Sequence, residues 1–460
     1  MKHLRRHHHI ALTLVLLLSM LFVPSHDAFA QDKEPPPPVP TEEAPPPQPP
    51  GTPEEGPRPQ ANREPSWVAP RGGKPFFVIG ANYEGPVDQA WMMWEDDKFA
   101  PDRIAADFDR ARSIGINTLR IFVQRPLRDD IDGGDFSKLD TVMRLARERS
   151  LWIILTFTDW PEPDLAKAAD LNRRIAEHLA GDQGLLAYDV KNEPQFSDIV
   201  GAIFPPGMSV PLQTPDLIAT YGERVPCATI GEYRRKSNII PGRMTDQQAC
   251  VMANYYELFR DFLGAGSAWV RTHSNTTTLD YMDSPDSAHW APFLAAIDAT
   301  LLSWNKVQID PVRAADPGRP VTVGYSNVVF AKLPGNREMT FHSIHRFTTH
   351  GYAGLNATFL VLDNLKRTFH PQPVMLEEFG YPGQTRSGGG LVGFDPRTTA
   401  NLESAIWSYL YANGYAGGAK WMLNNFPLGY DPAQNTYGLF DNEGRPKIAA
   451  LALREFASIV

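Results

Sequence analysis

The sequence predicts an α/β fold, a (β/α)8 TIM barrel with a long insertion after the fourth strand. Apolar runs rich in β-forming residues alternate with segments of helical spacing from residue 76 onward. Strands that alternate with helices pair in parallel through right-handed crossovers. Eight such strands are present, which favours a closed barrel over an open sheet, and the stretch 66–460 is ordinary for a barrel with insertions.

The first half of the barrel is expected to contain four strands and three helices. The strands are predicted at 76–83, 117–123, 151–157 and 185–192. The helices are predicted at 102–114, 136–149 and 164–179. The first of these helices carries apolar residues at Ile104, Phe108 and Ala111, a spacing that places them on one helical face.

The second half supplies the other four strands, predicted at 320–326, 341–347, 373–379 and 419–424. Helices are expected at 355–369, 398–412 and 447–459. Because few residues separate the fifth strand from the sixth, the helix between them is expected to be short or missing.

A long interruption separates the fourth and fifth strands. It shows helical patterns near 251–271 and 292–305; part of it is expected to be the fourth barrel helix, and the rest, about 195–290, an insertion. This insertion is either a wall over the substrate or a surface decoration. Cys227 and Cys250 are the only cysteines, and in an exported protein they are expected to form a disulfide.

Residues 1–30 read as a secretory signal peptide, because Lys2, Arg5 and Arg6 precede an apolar run that ends near small residues. An uncleaved anchor is the alternative. Residues 31–65 are predicted to form a disordered linker, since a stretch with 14 prolines between 34 and 65 cannot build a core. The expected product is a secreted protein, extracellular or periplasmic, with a folded body at 66–460 and no membrane insertion after cleavage.

The charge balance restricts the partners. The chain has 53 acidic and 44 basic residues, a net charge of −9, which argues against nucleic acid or an anionic membrane surface. Acidic character with 11% aromatic residues suits a neutral polar substrate. Two cysteines and no His-rich cluster outside the leader predict neither a metal site nor a cofactor. We expect a monomer.

Two strands end in carboxylates. The fourth ends "KNEP", with Glu193, and the seventh ends "LEEFG", with Glu377 and Glu378. Two carboxyl groups facing each other across a barrel mouth are what glycosidic cleavage requires. Glu193 by itself could merely pair with Lys191, but the two motifs together are far more specific. Because successive strand side chains alternate faces, Glu377 is expected to point toward the helices.

These motifs, with "VIGANYEGP", "GINTLRIFV" and "YGLFDNEGRPK", resemble the clan A glycoside hydrolases, particularly family 5 and its cellulase- and mannanase-like relatives. The resemblance implies that Glu193 is the acid/base and Glu378 the nucleophile of a retaining enzyme. It assigns Asn192 to the 2-hydroxyl of the sugar. The supporting residues that it implies are Arg120 beside the nucleophile, the strand-six His345, and Trp421 as an aromatic floor. An ordinary ion pair, a satisfied histidine and core packing are the respective alternatives.

The sequence departs from the family pattern at two places. The third strand ends in Asp159 and Trp160 where a histidine is usual, and Phe347 occupies the place of a tyrosine that contacts the nucleophile. Tyr325 and Tyr381 are candidates to supply the missing hydroxyl. Two further tryptophans, Trp91 and Trp94, are either sugar-stacking platforms or a hydrophobic staple for their loop.

The expected activity is hydrolysis of β-linked glycans, of mannan or glucan type with a β-1,4 linkage favoured, without a metal or cofactor. A catalytically weak carbohydrate-binding barrel and a transglycosylase are the alternatives. Loss of sugar release on Glu193→Ala separates the first from a hydrolase, and product analysis with acceptor sugars separates the second.

Overall fold

Eight parallel strands close a barrel in the computed structural model, which describes residues 64–460 except 161, 163, 205–216, 238, 241, 243, 349, 388–389 and 428–433. The barrel strands are β1 (Val78–Tyr83), β2 (Thr118–Phe122), β3 (Trp152–Thr156), β4 (Leu185–Asn192), β5 (Val321–Tyr325), β6 (His342–Phe347), β7 (Val374–Gly380) and β10 (Gly417–Lys420). Each pairs with its neighbours in chain order, and β10 closes on β1. The predicted barrel is confirmed.

An antiparallel hairpin of β8 (Thr385–Ser387) and β9 (Gly390–Val392) follows β7 and was not predicted, because its strands are too short to show a period. The eighth barrel strand also begins and ends earlier than the predicted 419–424. Its first two residues are glycines, which carry no hydrophobic signal.

The helices before β5 are α1 (Pro101–Ser113), α2 (Arg125–Asp132), α3 (Ser137–Glu148), α4 (Leu165–His178), α5 (Phe196–Val200), α6 (Leu217–Tyr221), α7 (Ile230–Lys236), α8 (Asp246–Val270), α9 (Thr278–Asp283) and α10 (Ala291–Ala315). Those after β5 are α11 (Val328–Lys332), α12 (Gly351–Phe369), α13 (Pro396–Ala412) and α14 (Ile448–Ala457). The short α2 was not predicted. It buries only Leu127 and Ile131, too few residues for a clear helical pattern.

The connection from β4 to β5 carries α5 to α10. Its last helix, α10, packs against α4 and leads into β5, so it serves as the fourth barrel helix. Phe259 of α8 stacks on Phe330 of α11 at 5.1 Å between ring centres, which ties this connection to the barrel. A disulfide joins Cys227 to Cys250 at the start of α8, as expected. The fifth barrel helix is short, because α11 has only five residues.

The two ends of the barrel differ in character. Near the amino-terminal ends of the strands a cluster of buried apolar side chains fills the space, and it includes Val78, Ile154, Ala187, Phe341, Met375 and Ala419. Near the carboxyl ends the interior is polar and charged. That end is where barrel enzymes place their sites.

The expected signal peptide and nearly all of the linker lie outside the described residues. Among the residues that are described, no helix is long and apolar enough to cross a membrane.

Candidate active site

The site begins with an irregularity in β7. Leu376 lies opposite Ile344 of β6, and the next pair joins Glu378 to His345, so Glu377 is an extra residue on its strand. The pairing with β10 shows the same shift. A bulge of this kind interrupts the alternation of side chains between the two faces. Both glutamates are therefore turned toward the barrel interior, and the expectation that Glu377 points toward the helices is wrong.

Arg120 of β2 occupies the centre of the polar end and is fully buried. Its Nη1 donates to Oε1 of Glu378 and to Oδ1 of Asn82, the latter at 2.9 Å. Its Nη2 donates to Oδ2 of Asp189 at 2.7 Å and to Oδ1 of Asn192 at 2.8 Å. Burial lowers the pKa of the guanidinium, but the surrounding carboxylates outweigh it and the net shift is upward. Arg120 is thus a permanent cation whose position is set by four side chains.

His345 of β6 touches three carboxyl groups. Its Nδ1 lies 3.0 Å from Oε1 of Glu193 and 3.5 Å from Oε1 of Glu378, and its Nε2 lies 3.4 Å from Oε2 of Glu377. Burial disfavours the charged imidazole, but the charge of Glu378 and the hydrogen bonds to Glu193 and Glu377 prevail and raise the pKa of His345 to about 10. The ring is therefore a cation near neutral pH, with both nitrogens donating.

Glu193 follows the last residue of β4 and has a φ of 41°, in the left-handed region that side chains other than glycine rarely adopt. Its N–H donates to the carbonyl of Gly324 on β5 at 2.8 Å, which holds this conformation. Backbone strain of this kind concentrates at functional sites. One atom each from Glu193, His345 and Glu378 lie within 4.8 Å of one another, so the two carboxyl groups are close together.

The same three side chains have the composition of a metal site, as do Glu223, Cys227 and Cys250. In the first group a protonated His345 has no free nitrogen lone pair to offer a metal. In the second the disulfide consumes both thiols. Neither group therefore favours a metal over the contacts it already makes.

The two glutamates of β7 differ in charge state. Burial raises the pKa of Glu378 to about 7, with His345 and Arg120 opposing the shift and Glu193 adding to it. Burial acts in the same sense on Glu377, but the charges of Arg120 and His345 exceed it and the net pKa shift is downward. Glu377 is thus the fixed counter-ion of both cations, and Glu378 is the carboxyl that can change its protonation near neutrality.

Two acidic side chains of the site, Asp189 and Glu84, were not predicted from the sequence, and a third, Asp159, was given no role. Asp189 accepts from Nε and Nη2 of Arg120, and Oδ1 of Asp159 accepts from Nδ2 of Asn192 at 2.8 Å. Glu84, directly after β1, is 6% exposed. The signal for Glu84 was present in "ANYEGP", since alternation along β1 places it on the same face as Asn82.

Trp421 is 5% exposed and lies beside Phe122 and Phe347, with ring centres 6.2 Å and 6.4 Å away. Its Nε1 donates to Oε1 of Gln434 at 3.1 Å. Trp91 lies in the same aromatic cluster, partly exposed, with Phe426 at 4.9 Å.

The other two tryptophans are more enclosed. Trp94 is 0% exposed, and its Nε1 donates to the carbonyl of Phe122 at 2.9 Å. A sugar-stacking platform must present a ring face to solvent, so the platform interpretation of Trp94 is wrong and the residue is core. Trp160 is buried with the guanidinium of Arg128 over its ring at 5.9 Å, and its Nε1 has no hydrogen-bond partner among the described residues.

The two tyrosines that are candidates to supply a hydroxyl to the nucleophile make hydrogen bonds to other residues. Tyr325 donates to Oδ1 of Asn336 at 2.9 Å, and the hydroxyl of Tyr381 accepts from Thr348 at 3.4 Å. Neither is bonded to Glu378 in the described structure. The contacts that Glu378 does make are with Arg120 and His345. The hydroxyl replaced by Phe347 is therefore not restored by either candidate.

No protein-family model matches the chain, and no curated protein matches it. Its fold is similar to that of the exo-β-1,4-mannosidase Op5Man5 from Opitutaceae bacterium strain TAV5, with 17% identity and a TM-score of 0.54 over 86% of this chain and 61% of that chain. A GH5_18 protein from Streptomyces cattleya in complex with GlcNAc has 15% identity and a TM-score of 0.53, over 86% and 80% of the two chains. A GH5_18 protein from Bifidobacterium longum subsp. longum, in complex with Manb1-4GlcNAc, has 13% identity and a TM-score of 0.50, over 84% and 78%.

This chain spans less than two thirds of the mannosidase chain. At these identities the likeness establishes the barrel fold, and the chemistry has to be argued from the side chains.

Proposed function

We propose that this protein is a secreted, retaining glycoside hydrolase that cleaves β-linked glycans, with Glu378 as nucleophile and Glu193 as acid/base. The observation that carries the proposal is the spacing of these two side chains, which lie with His345 within 4.8 Å of one another. Retaining enzymes hold their two carboxyl groups roughly 5 Å apart, whereas inverting enzymes need a wider gap of about 6.5–9.5 Å for a water molecule.

In the first step an ionised oxygen of Glu378 forms a bond to the anomeric carbon while the bond from that carbon to the glycosidic oxygen breaks. The proton carried by Glu193 goes to the departing oxygen. Arg120 and His345 both contact Oε1 of Glu378, so they hold the attacking carboxylate in place. Positioning of this kind supplies much of the rate enhancement of an enzyme.

In the second step a water molecule attacks the anomeric carbon and releases Glu378. The water gives its proton to Glu193, which is then ready for another cycle. His345 contacts both glutamates through one nitrogen, Nδ1, so its N–H can favour whichever of them is the carboxylate in each half-reaction.

A mannan- or glucan-type substrate with a β-1,4 linkage is supported by two of the similar structures, an exo-β-1,4-mannosidase and a complex with Manb1-4GlcNAc. Export to the periplasm or exterior is supported by the leader sequence. The protein is proposed to act as a monomer.

The test uses the purified protein with aryl β-mannoside, aryl β-glucoside and β-1,4-linked oligosaccharides, with NMR of the first-formed anomer. The β-anomer should appear first, and Glu378→Ala should abolish its formation. Glu148→Ala, an exposed carboxylate on α3, is the matched control and should keep full activity. An α-anomer as first product, or wild-type turnover by Glu378→Ala, contradicts the proposal. Transfer products in the presence of acceptor sugars would instead identify a transglycosylase.

A further inference from the structure

Glu84 is a buried carboxyl group that the proposed two-step reaction does not use. It directly follows β1, whose preceding residues alternate. Asn82 contacts Arg120 inside the barrel, and the hydroxyl of Tyr83 donates to Asp107 of α1 outside it at 2.9 Å. The next residue in this alternation, Glu84, therefore faces the interior at the catalytic end.

The Glu84 side chain has no partner of its own. It is 6% exposed, and no side-chain hydrogen bond or ion pair joins it to another residue that the structure describes. Buried carboxyl groups are nearly always hydrogen-bonded or paired. Burial and the negative charges of Asp159 and Glu378 raise its pKa well above the ordinary value, with Arg120 opposing them. Donor groups supplied by a bound sugar would oppose this rise and favour the carboxylate.

We propose that Glu84, together with Asp159, determines which sugar is accepted at the reacting position. This inference rests on the proposed glycosidase function. Glu84 receives its missing hydrogen bonds from donor groups of the pyranose held against Glu378, either hydroxyls or an ammonium group. A pyranose that carries a carboxylate is excluded.

Charge supports the exclusion. The interior holds the carboxyl groups of Glu84, Asp159, Asp189, Glu193, Glu377 and Glu378, and the cations beside them include Arg120, His345 and Lys191. Arg120 and His345 are already bonded to carboxyl groups of the protein, and Nζ of Lys191 donates to the carbonyl of Asn192 and offsets the charge of Asp159. A uronic acid would therefore add a negative charge to an interior in which carboxyl groups already outnumber these cations. Hydroxyls of a neutral sugar would satisfy Glu84 without adding charge, and an ammonium would lower the net charge.

The test compares kcat/KM for four aryl β-glycosides: mannoside, glucoside, glucosaminide and glucuronide. The wild-type protein should hydrolyse a neutral or amino sugar far faster than the glucuronide. Glu84→Gln keeps the shape of the side chain, and it should lower kcat/KM on the preferred substrate roughly tenfold to a hundredfold, the effect of losing one charged hydrogen bond. The same variant should also reduce the ratio of kcat/KM on the preferred substrate to kcat/KM on the glucuronide. Glu95→Gln, a partly exposed carboxylate of the loop after β1, is the matched control and should match wild type.

The outcomes separate the two proposals. A preference for the glucosaminide that disappears in Glu84→Gln identifies an ammonium donor, and a preference for the mannoside or glucoside that weakens in the same variant identifies hydroxyl donors. If Glu84→Gln stays within about twofold of wild type on every active substrate, the inference is overturned while the hydrolase stands. Efficient wild-type hydrolysis of the glucuronide overturns it as well. If the wild-type protein hydrolyses none of the four, both proposals fall. Glu84→Ala is a second variant for the same comparison, and thermal melting of both variants checks that each is folded.

Discussion

Oε1 of Glu377 lies 3.5 Å from Nε of Arg120, and both side chains are fully buried inside the barrel. Strict alternation along β7 would have placed Glu377 among the helices. The bulge at this point instead brings two consecutive glutamates to the same polar interior, where one is the counter-ion and the other is free to react.

We therefore expect Glu377→Gln to be strongly impaired. Removing the charge of Glu377 leaves the positive charges of Arg120 and His345 with one carboxylate fewer to balance them. The pKa of His345 therefore falls, and the contacts that hold Glu378 weaken. Loss of one partner from a buried ion pair costs about 3–5 kcal/mol, so the melting temperature should fall too. Glu403→Gln is the control, since it removes a buried carboxylate 3.2 Å from Lys420 in a different ion pair. If only Glu403→Gln loses activity, the counter-ion role of Glu377 is wrong.

The pH profile should report Glu378. Its pKa is raised to about 7 by burial, and only the ionised form attacks, so kcat/KM on an activated aryl glycoside should fall as pH drops below about 7. His345→Gln removes a positive charge that holds this pKa down, and it should move the acidic limb to higher pH. His342→Gln, at a buried histidine on the same strand that stacks on Phe369, should leave the limb in place. An acidic limb near pH 4 in wild type would contradict this assignment.

The leaving group should distinguish the two catalytic glutamates. Glu193→Ala should lose activity mainly on substrates with poor leaving groups, because an activated aryl glycoside needs no proton donor in the first step. General acid catalysis contributes roughly 10²–10⁴-fold, which bounds the loss. Glu378→Ala should be inactive on all substrates, and azide should restore some turnover with inverted product. Equal losses for Glu193→Ala on good and poor leaving groups would show that Glu193 is not the proton donor.

Gly324→Ala should damage the site without replacing either of the two proposed catalytic glutamates. A Cβ at this position would lie 2.6 Å from Nε2 of His345 and 2.8 Å from Oε2 of Glu377, so the imidazole has to move. Because small misplacements of catalytic groups are costly, we expect kcat/KM to fall roughly tenfold to a hundredfold. Gly264→Ala is the matched control in α8, where an added Cβ meets nothing within 4 Å and the helix should become slightly more stable. Wild-type rates for Gly324→Ala would show that the ring position is not critical.

The disulfide should stabilise the connection between β4 and β5. Cys227 and Cys250 are separated by 23 residues, for which the chain-entropy estimate is about 3 kcal/mol. Replacing both cysteines with serine should lower the free energy of unfolding by about that amount in urea titrations. Mass spectrometry of unreduced peptides should find the two residues linked. Detection of two free thiols would contradict the pairing.

Local sequence was enough for the barrel and for its principal carboxylates. Hydrophobic periodicity is a property of neighbouring residues, so the alternation of strands and helices could be predicted without knowing any long-range contact. The ends of β4 and β7 followed from the same pattern, and they brought Glu193 and Glu378 to one end of the barrel before any distance was known. Short elements escaped prediction, such as α2 and the β8–β9 hairpin, because they contain too few residues to show a period.

What the sequence could not determine depends on contacts between distant parts of the chain. The bulge that turns Glu377 inward is a register shift against both β6 and β10 and leaves no mark in "LEEFG" itself. The burial of Trp94 and the direction of the Tyr381 hydroxyl likewise depend on packing partners from other strands and loops. Alternation along β1 could have indicated the face of Glu84, but its closeness to the charges of Asp159 and Glu378 depends on the closed barrel. Charge interactions of this kind act through space between strand ends, so only the tertiary structure could decide them.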